Sequence, residues 1–177
     1  IEGKTGVIDG FRAALANETG LAKPTISDLV VDLIHEGLLV EGGRGESTDS
    51  GGKRPTILRF VPDAHQIIGV SVESHRVTGV LSNLEGKITA QHYIEFEPDG
   101  GITDLVALMR GVINGMIAQL EAPLLCIGVG VPGAVDTTTG FVRHSPYVQL
   151  NRLALGEILT TYYQKPVYVG NNGELSA

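Results

Sequence analysis

The sequence predicts an α/β protein headed by a small unit of two helices and a hairpin. Three observations carry that prediction: apolar residues at helical spacing on both sides of a glycine turn near the start, three strand patterns in close succession from Ile67, and a strand, helix, strand alternation after them.

The first helix is expected from about Asp9 to Glu18, burying Phe11, Ala14 and Leu15. Gly20 permits a sharp turn, and Pro24 is tolerated because it falls in the first turn of the next helix. In that second helix Ile26, Leu29, Val30, Leu33 and Ile34 form one apolar stripe, leaving Thr25, Ser27, Asp28 and Asp32 outward, until Gly37 stops it. Two short strands follow, around Leu38-Leu-Val-Glu41 and Thr56-Ile-Leu-Arg-Phe-Val61, with a Gly, Ser, Arg and Asp loop between them. Helix, turn, helix and hairpin together make a winged-helix pattern over residues 1–61. Pro62 marks the expected boundary, because patterning restarts beyond it.

Residues 62–177 read as a second domain. Strands are expected at about 67–72, 77–82 and 88–96, then a helix at 102–120 and a strand at 124–131 that is apolar throughout, as if covered on both faces. A hairpin around Asp136-Thr-Thr-Thr-Gly140, a helix at 153–163 and the strand Val167-Tyr-Val169 complete it. Three antiparallel strands followed by strand, helix, strand give a mixed sheet of ribonuclease-H or actin type.

The bulk composition excludes several classes. Thirteen Lys and Arg stand against 20 Asp and Glu, a net charge of −7, which disfavours a chain that coats nucleic acid indiscriminately but leaves room for a local basic patch. No apolar run reaches the roughly 20 residues of a membrane span, and the N-terminus carries no export pattern, so a cytoplasmic setting is expected. The single cysteine, Cys126, lies in an apolar strand and reads as a buried reduced thiol. His35, His65, His75, His92 and His144 lack metal-ligand spacing, and Asp136 reads as a turn former.

Five stretches taken together resemble one family: Thr19-Gly-Leu-Ala-Lys-Pro-Thr-Ile-Ser27, Leu33-Ile-His-Glu-Gly-Leu-Leu-Val40, Gly51-Gly-Lys-Arg-Pro55, Ile127-Gly-Val-Gly-Val-Pro-Gly-Ala-Val-Asp136 and Pro166-Val-Tyr-Val-Gly-Asn-Asn172. In this order they are similar to the ROK family (repressor, open reading frame, kinase), in its repressor branch. The resemblance implies a homo-oligomeric transcription regulator that binds operator DNA with winged helices and responds to a sugar or sugar phosphate. It also implies that only the first lobe of the actin-like domain is present, without the family's zinc-binding segment, so no metal and no cofactor are expected in this chain.

On that basis the DNA-binding candidates are Lys23, Thr25 and Ser27 near the start of the second helix, and Arg44, Lys53 and Arg54 in the hairpin. The alternatives are a solvated helix face and a solvated hairpin tip. Two departures stand out: Ala22 replaces the usual capping serine, and Asp28 shares the helix face that would approach phosphates.

Kinases of the family carry Asp-x-Gly-x-Thr on the first hairpin of the sheet, where this chain has Ser71, Glu73 and His75. Glu73 sets a carboxylate where phosphates would sit. Their catalytic base is the aspartate of an Asn-Asp pair, matched here by Asn171-Asn172, and an amide cannot take a hydroxyl proton at neutral pH. The chain is therefore expected not to be an enzyme. Sugar-binding candidates implied by the resemblance are Gly133, Asn171, Asn172 and Tyr147, the last standing where the family commonly has an asparagine. Two other readings remain: a constitutive DNA-binding oligomer without an effector, and a sugar kinase.

Overall fold

The computed structural model describes residues 12–44, 56–97, 102–145, 148 and 150–175. The chain divides into two compact units, 1–64, which ends with the short turn Pro62–Ala64, and 65–177.

In the first unit, α1 (Arg12–Thr19) and α2 (Lys23–His35) are joined by a turn in which Gly20 has φ 69°. The N–H of Leu38 donates to the carbonyl of Leu33 and that of Gly37 to Ile34, a C-terminal cap that needs the left-handed backbone of Gly37. Strands β1 (Leu39–Arg44) and β2 (Thr56–Phe60) then pair antiparallel, Leu39 opposite Phe60, with an irregularity between Glu41 and Arg44. Ala16, Ile26, Val30, Leu39 and Leu58 form the core, with Leu15, Leu33, Ile34 and Phe60 packed against it. Leu29 is 46% exposed. It lies at the rim of the predicted stripe, about 60° of helix rotation from Ile26, where a small bundle runs out of partners.

The second unit is a five-stranded mixed sheet in the order β5-β4-β3-β6-β9. Strands β3 (Gln66–Val72), β4 (Arg76–Asn83) and β5 (Ile88–Glu95) form an antiparallel meander, while β6 (Leu124–Val131) runs parallel to β3 and β9 (Val167–Asn171) parallel to β6. Between them lie α3 (Ile102–Ile117), the small hairpin β7 (Ala134–Asp136) and β8 (Phe141–His144), and α4 (Leu155–Tyr163). A short helix, α5 (Asn172–Leu175), follows β9 directly.

Along β3 the even-numbered residues from Gln66 to Val72 are buried and the odd ones only half-buried. The buried row, Ile68, Val70 and Val72, joins Val77 and Leu81 of β4 and meets Met109, Val112, Ile113 and Met116 of α3. At Gly79 any Cβ would collide with Val112, so a glycine is what lets the helix come this close. The β6 strand is covered on both faces only towards its end, where Val129, Gly130 and Val131 are all buried, whereas Leu125 near its start is 44% exposed. Helix α3 ends earlier than its apolar pattern. Beyond Ile117 the backbone tightens, the N–H of Gln119 reaching Met116 and that of Leu120 reaching Ile117.

Candidate functional site

The first candidate surface is the start of α2. Ala22 precedes the helix in extended conformation, no side chain among the described residues caps it, and Pro24 occupies its first turn. Its leading N–H groups are therefore free of side-chain acceptors, and such groups favour an anion. Lys23 and Thr25 are exposed there. Ser27 is only half-exposed, and its hydroxyl donates back to the carbonyl of Lys23 at 3.0 Å, which leaves its lone pairs as acceptors. Asp28 is exposed on the same helix. Arg44 ends β1, with its side chain outside the described residues, as are Lys53 and Arg54 entirely.

The second lies in the larger unit, where the parallel strands β3, β6 and β9 bring their carboxyl ends to one edge of the sheet. Open α/β sheets bind ligands beyond such an edge. Here it gathers the Glu73 turn, the Gly133 turn and the pair Asn171-Asn172.

The Glu73 turn is closed on itself. Its N–H donates to the carbonyl of Arg76 at 2.8 Å, and the Arg76 guanidinium donates to its carboxylate at 2.9 Å. His75 Nδ1 lies 2.7 Å from the Ser74 hydroxyl. A phosphate-binding turn presents unbonded N–H groups to the ligand. This one has spent the Glu73 N–H inside the hairpin and put a carboxylate in front of it.

Asn171 and Asn172 are both half-buried, and both are tied to backbone. Asn172 donates to the carbonyl of Val72 at 2.7 Å. Asn171 donates to the carbonyl of Gly133, and its amide oxygen accepts the N–H of Gly173 at 2.7 Å, opening α5. The two amides thus clamp the turn after β6 and the end of β3 to the end of β9. Gly133 has φ 118°, and a Cβ there would lie 2.8 Å from the Cα of Ser145 and collide with the carbonyl of His144. The next segment is held by Asn151, whose side-chain oxygen accepts the N–H of Ser145 at 3.2 Å and lies 2.7 Å from His144 Nδ1. Tyr147, two residues on, lies outside the described residues.

On the face beside this edge, sequence reading singled out Ser71 and Asn172 but not the glycines around them. Gly69, Ser71, Thr78, Gly128, Gly130 and Asn172 line a shallow depression of about 360 Å³. The alternation Gly128-Val-Gly130 in β6 was the available signal, since a strand with glycines on one face leaves that face open. Burial raises the thiol pKa of Cys126, which makes it a poorer nucleophile. Asp136 accepts the N–H of Thr138 and pairs with Arg143 at 3.1 Å, as a turn former does.

A mixed sheet with this edge, an amide pair after its last strand and a first hairpin closed on itself define a fold of the sugar-kinase type. Its homologues are transcriptional regulators of the ROK family. The xylose repressor of Caldicellulosiruptor bescii is 30% identical over 169 residues, spanning 94% of this chain and 42% of the repressor. That of Bacillus subtilis is 32% identical over 170 residues, again 94% of this chain and 43% of the relative. NagC of Escherichia coli K12, a DNA-binding transcriptional dual regulator, is 26% identical over 164 residues, 91% of this chain and 40% of NagC. The chain thus spans less than half the length of these relatives.

No protein-family model matches the chain. Among solved structures, a ROK family transcriptional regulator homologous to E. coli Mlc shares the fold over 92% of this chain and 41% of its own, with TM-score 0.77 and 24% identity. A ROK glucokinase from Streptomyces griseus, solved with glucose and AMPPNP, superposes over 60% of this chain and 33% of its own, with TM-score 0.54 and 21% identity. Among the described residues no helix is long and apolar enough to cross a membrane.

Proposed function

We propose that the protein is a cytoplasmic, sugar-responsive DNA-binding repressor, with a winged helix-turn-helix in residues 1–61 and a catalytically silent ROK domain beyond. The observation that carries this reading is the reach of the similarity to xylose repressors, which runs through both units rather than through the kinase-like part alone. In this reading α2 enters the major groove. Lys23 and the uncapped helix start meet phosphate, Thr25 and Ser27 contact bases or backbone, and Arg44, Lys53 and Arg54 extend the contact from the hairpin.

The sensor would bind its sugar at the edge formed by Gly133, Asn171 and Asn172, with Tyr147, outside the described residues, as a further candidate. A neutral monosaccharide, with pentoses first, suits this edge better than a nucleotide, because the closed Glu73 turn has spent its N–H within the hairpin and presents no amide cradle to a phosphate. The protein acts without catalysis: Asn172 supplies no base, and its amide holds Val72. A panel of monosaccharides and their phosphates screened by thermal shift tests sensing, one sugar raising Tm in a concentration-dependent way and ATP raising it not at all.

A second reading, a constitutive DNA-binding oligomer, is favoured by one observation. Both polar ends of the Asn171 side chain are already committed to backbone. A panel without a single hit selects that reading.

A further inference from the structure

Asn171 and Asn172 commit their amides to backbone carbonyls, so a ligand at this edge needs a polar atom that the fold has not already used. His144 supplies one. It ends β8 directly opposite Ala134, and its carbonyl lies so close to the Gly133 turn that no Cβ fits there. Opposite residues of an antiparallel pair share a face, and Ala134 and His144 are both exposed.

The protonation pattern of the ring follows from Asn151. The Ser145 N–H can only donate, so the atom it reaches at 3.2 Å is the amide oxygen of Asn151. That same oxygen lies 2.7 Å from His144 Nδ1. An amide oxygen only accepts, so Nδ1 carries the proton and Nε2 of the neutral ring is left as an acceptor. Among the described residues Nε2 has no partner.

Asn151 is itself held against β8. The Val142 N–H donates to the Leu153 carbonyl at 2.8 Å and the Leu153 N–H returns to Val142 at 3.0 Å, which lays residues 151–153 alongside the strand. Arg152, between them, has φ 55°, a conformation that a residue with a Cβ keeps only where its surroundings impose it. The Ser145 hydroxyl is buried without a partner among the described residues, so it is the N–H that ties Ser145 to Asn151.

We propose that His144 Nε2 accepts a hydrogen bond from a hydroxyl of the bound sugar, and that Asn151 is the positioning residue that fixes the tautomer and orientation of the ring. This rests on the sugar-binding reading and extends that site from the Gly133 turn to the end of β8. A neutral polyol is the matching ligand, because each of its hydroxyls brings a proton to the lone pair.

Two measurements test it. Long-range proton–nitrogen NMR correlation on the ligand-free protein reads which nitrogen of the neutral His144 ring carries the proton. Nδ1–H is expected, and Nε2–H overturns the proposal whatever the sugar does. Calorimetric titration with neutral monosaccharides, pentoses first, then reads the contact. His144→Ala is expected to weaken the sugar that binds the unchanged protein about three- to tenfold. His144→Gln, whose amide ends near the place of Nε2, recovers most of that loss, and His144→Asn, which ends near the place of Nδ1, does not. Asn151→Ala weakens binding on its own but adds nothing once His144→Ala is present, a coupling that a merely structural role would not produce. Equal sugar affinity in His144→Ala and the unchanged protein overturns the proposal and leaves the sugar-binding reading standing. An unchanged protein that binds no sugar overturns that reading and the contact with it.

Discussion

The side-chain amide of Asn172 donates to the main-chain carbonyl of Val72 at 2.7 Å, joining the first residue of α5 to the last residue of β3. An aspartate there has no proton to offer at neutral pH and would set its oxygens against that carbonyl. Asn172→Asp is therefore expected to destabilise the larger unit by about 1–3 kcal/mol. A lower urea midpoint with an unchanged slope is the expected record. The variant also gains no phosphoryl transfer from ATP to any sugar, because Glu73 and its closed turn remain.

Gly133 and Gly128 make a matched pair of tests. At Gly133 the backbone has φ 118°, and a methyl group would strike the main chain of His144 and Ser145, which cannot swing aside as a flexible side chain would. Gly133→Ala is expected to cost about 3 kcal/mol or more. At Gly128 a Cβ meets nothing within 4 Å, so Gly128→Ala should shift stability by less than about 1 kcal/mol. Equal effects in thermal unfolding would contradict the packing described around the Gly133 turn.

Tyr163 contributes to a loss of stability at alkaline pH. Burial pushes its phenol from the ordinary 10.0 up to about 12, against the lowering pull of the Arg110 charge. The folded state thus holds the phenolic proton more tightly than the unfolded chain. Its contribution is fully present below about pH 10 and is lost as pH rises through about 12. Unfolding curves across that window should show a steeper loss for the unchanged protein than for Tyr163→Phe.

The uncapped start of α2 predicts a gain. Ala22→Ser supplies a hydroxyl that can accept one of the leading N–H groups and should stabilise the first unit by about 1 kcal/mol. Its Tm should rise by a few degrees, on the order expected for a unit of this size. No rise would mean that those N–H groups are already satisfied.

Local patterning carried most of the fold because the elements announce themselves locally. The stripe Ile26, Val30 and Leu33, the meander from Gln66 to Glu95 and the run Leu124 to Val131 all follow from spacing, with boundaries off by a residue or a turn. The sites were less legible. Asn171 and Asn172 could be picked out by resemblance, but their hydrogen bonds to Gly133 and Val72 cross 38 and 100 residues, and no local pattern encodes such partners. Gln66 escaped notice for the same reason. It is buried at the start of β3, its oxygen accepting the N–H groups of Glu121 and Ala122 and its amide reaching the Thr89 hydroxyl, and its only local signal was a polar residue opening an apolar strand.

The central claim, DNA binding gated by a sugar, is tested most directly by operator titration. A duplex enriched from a random pool is titrated by fluorescence anisotropy over a range of salt, with and without each sugar of the panel. The account predicts saturable, sequence-selective binding and one sugar that changes the affinity. It also predicts a salt dependence whose slope falls by about one unit in Lys23→Ala. Enrichment of no sequence at all, or a selected duplex bound equally tightly in the presence of every sugar, would contradict it.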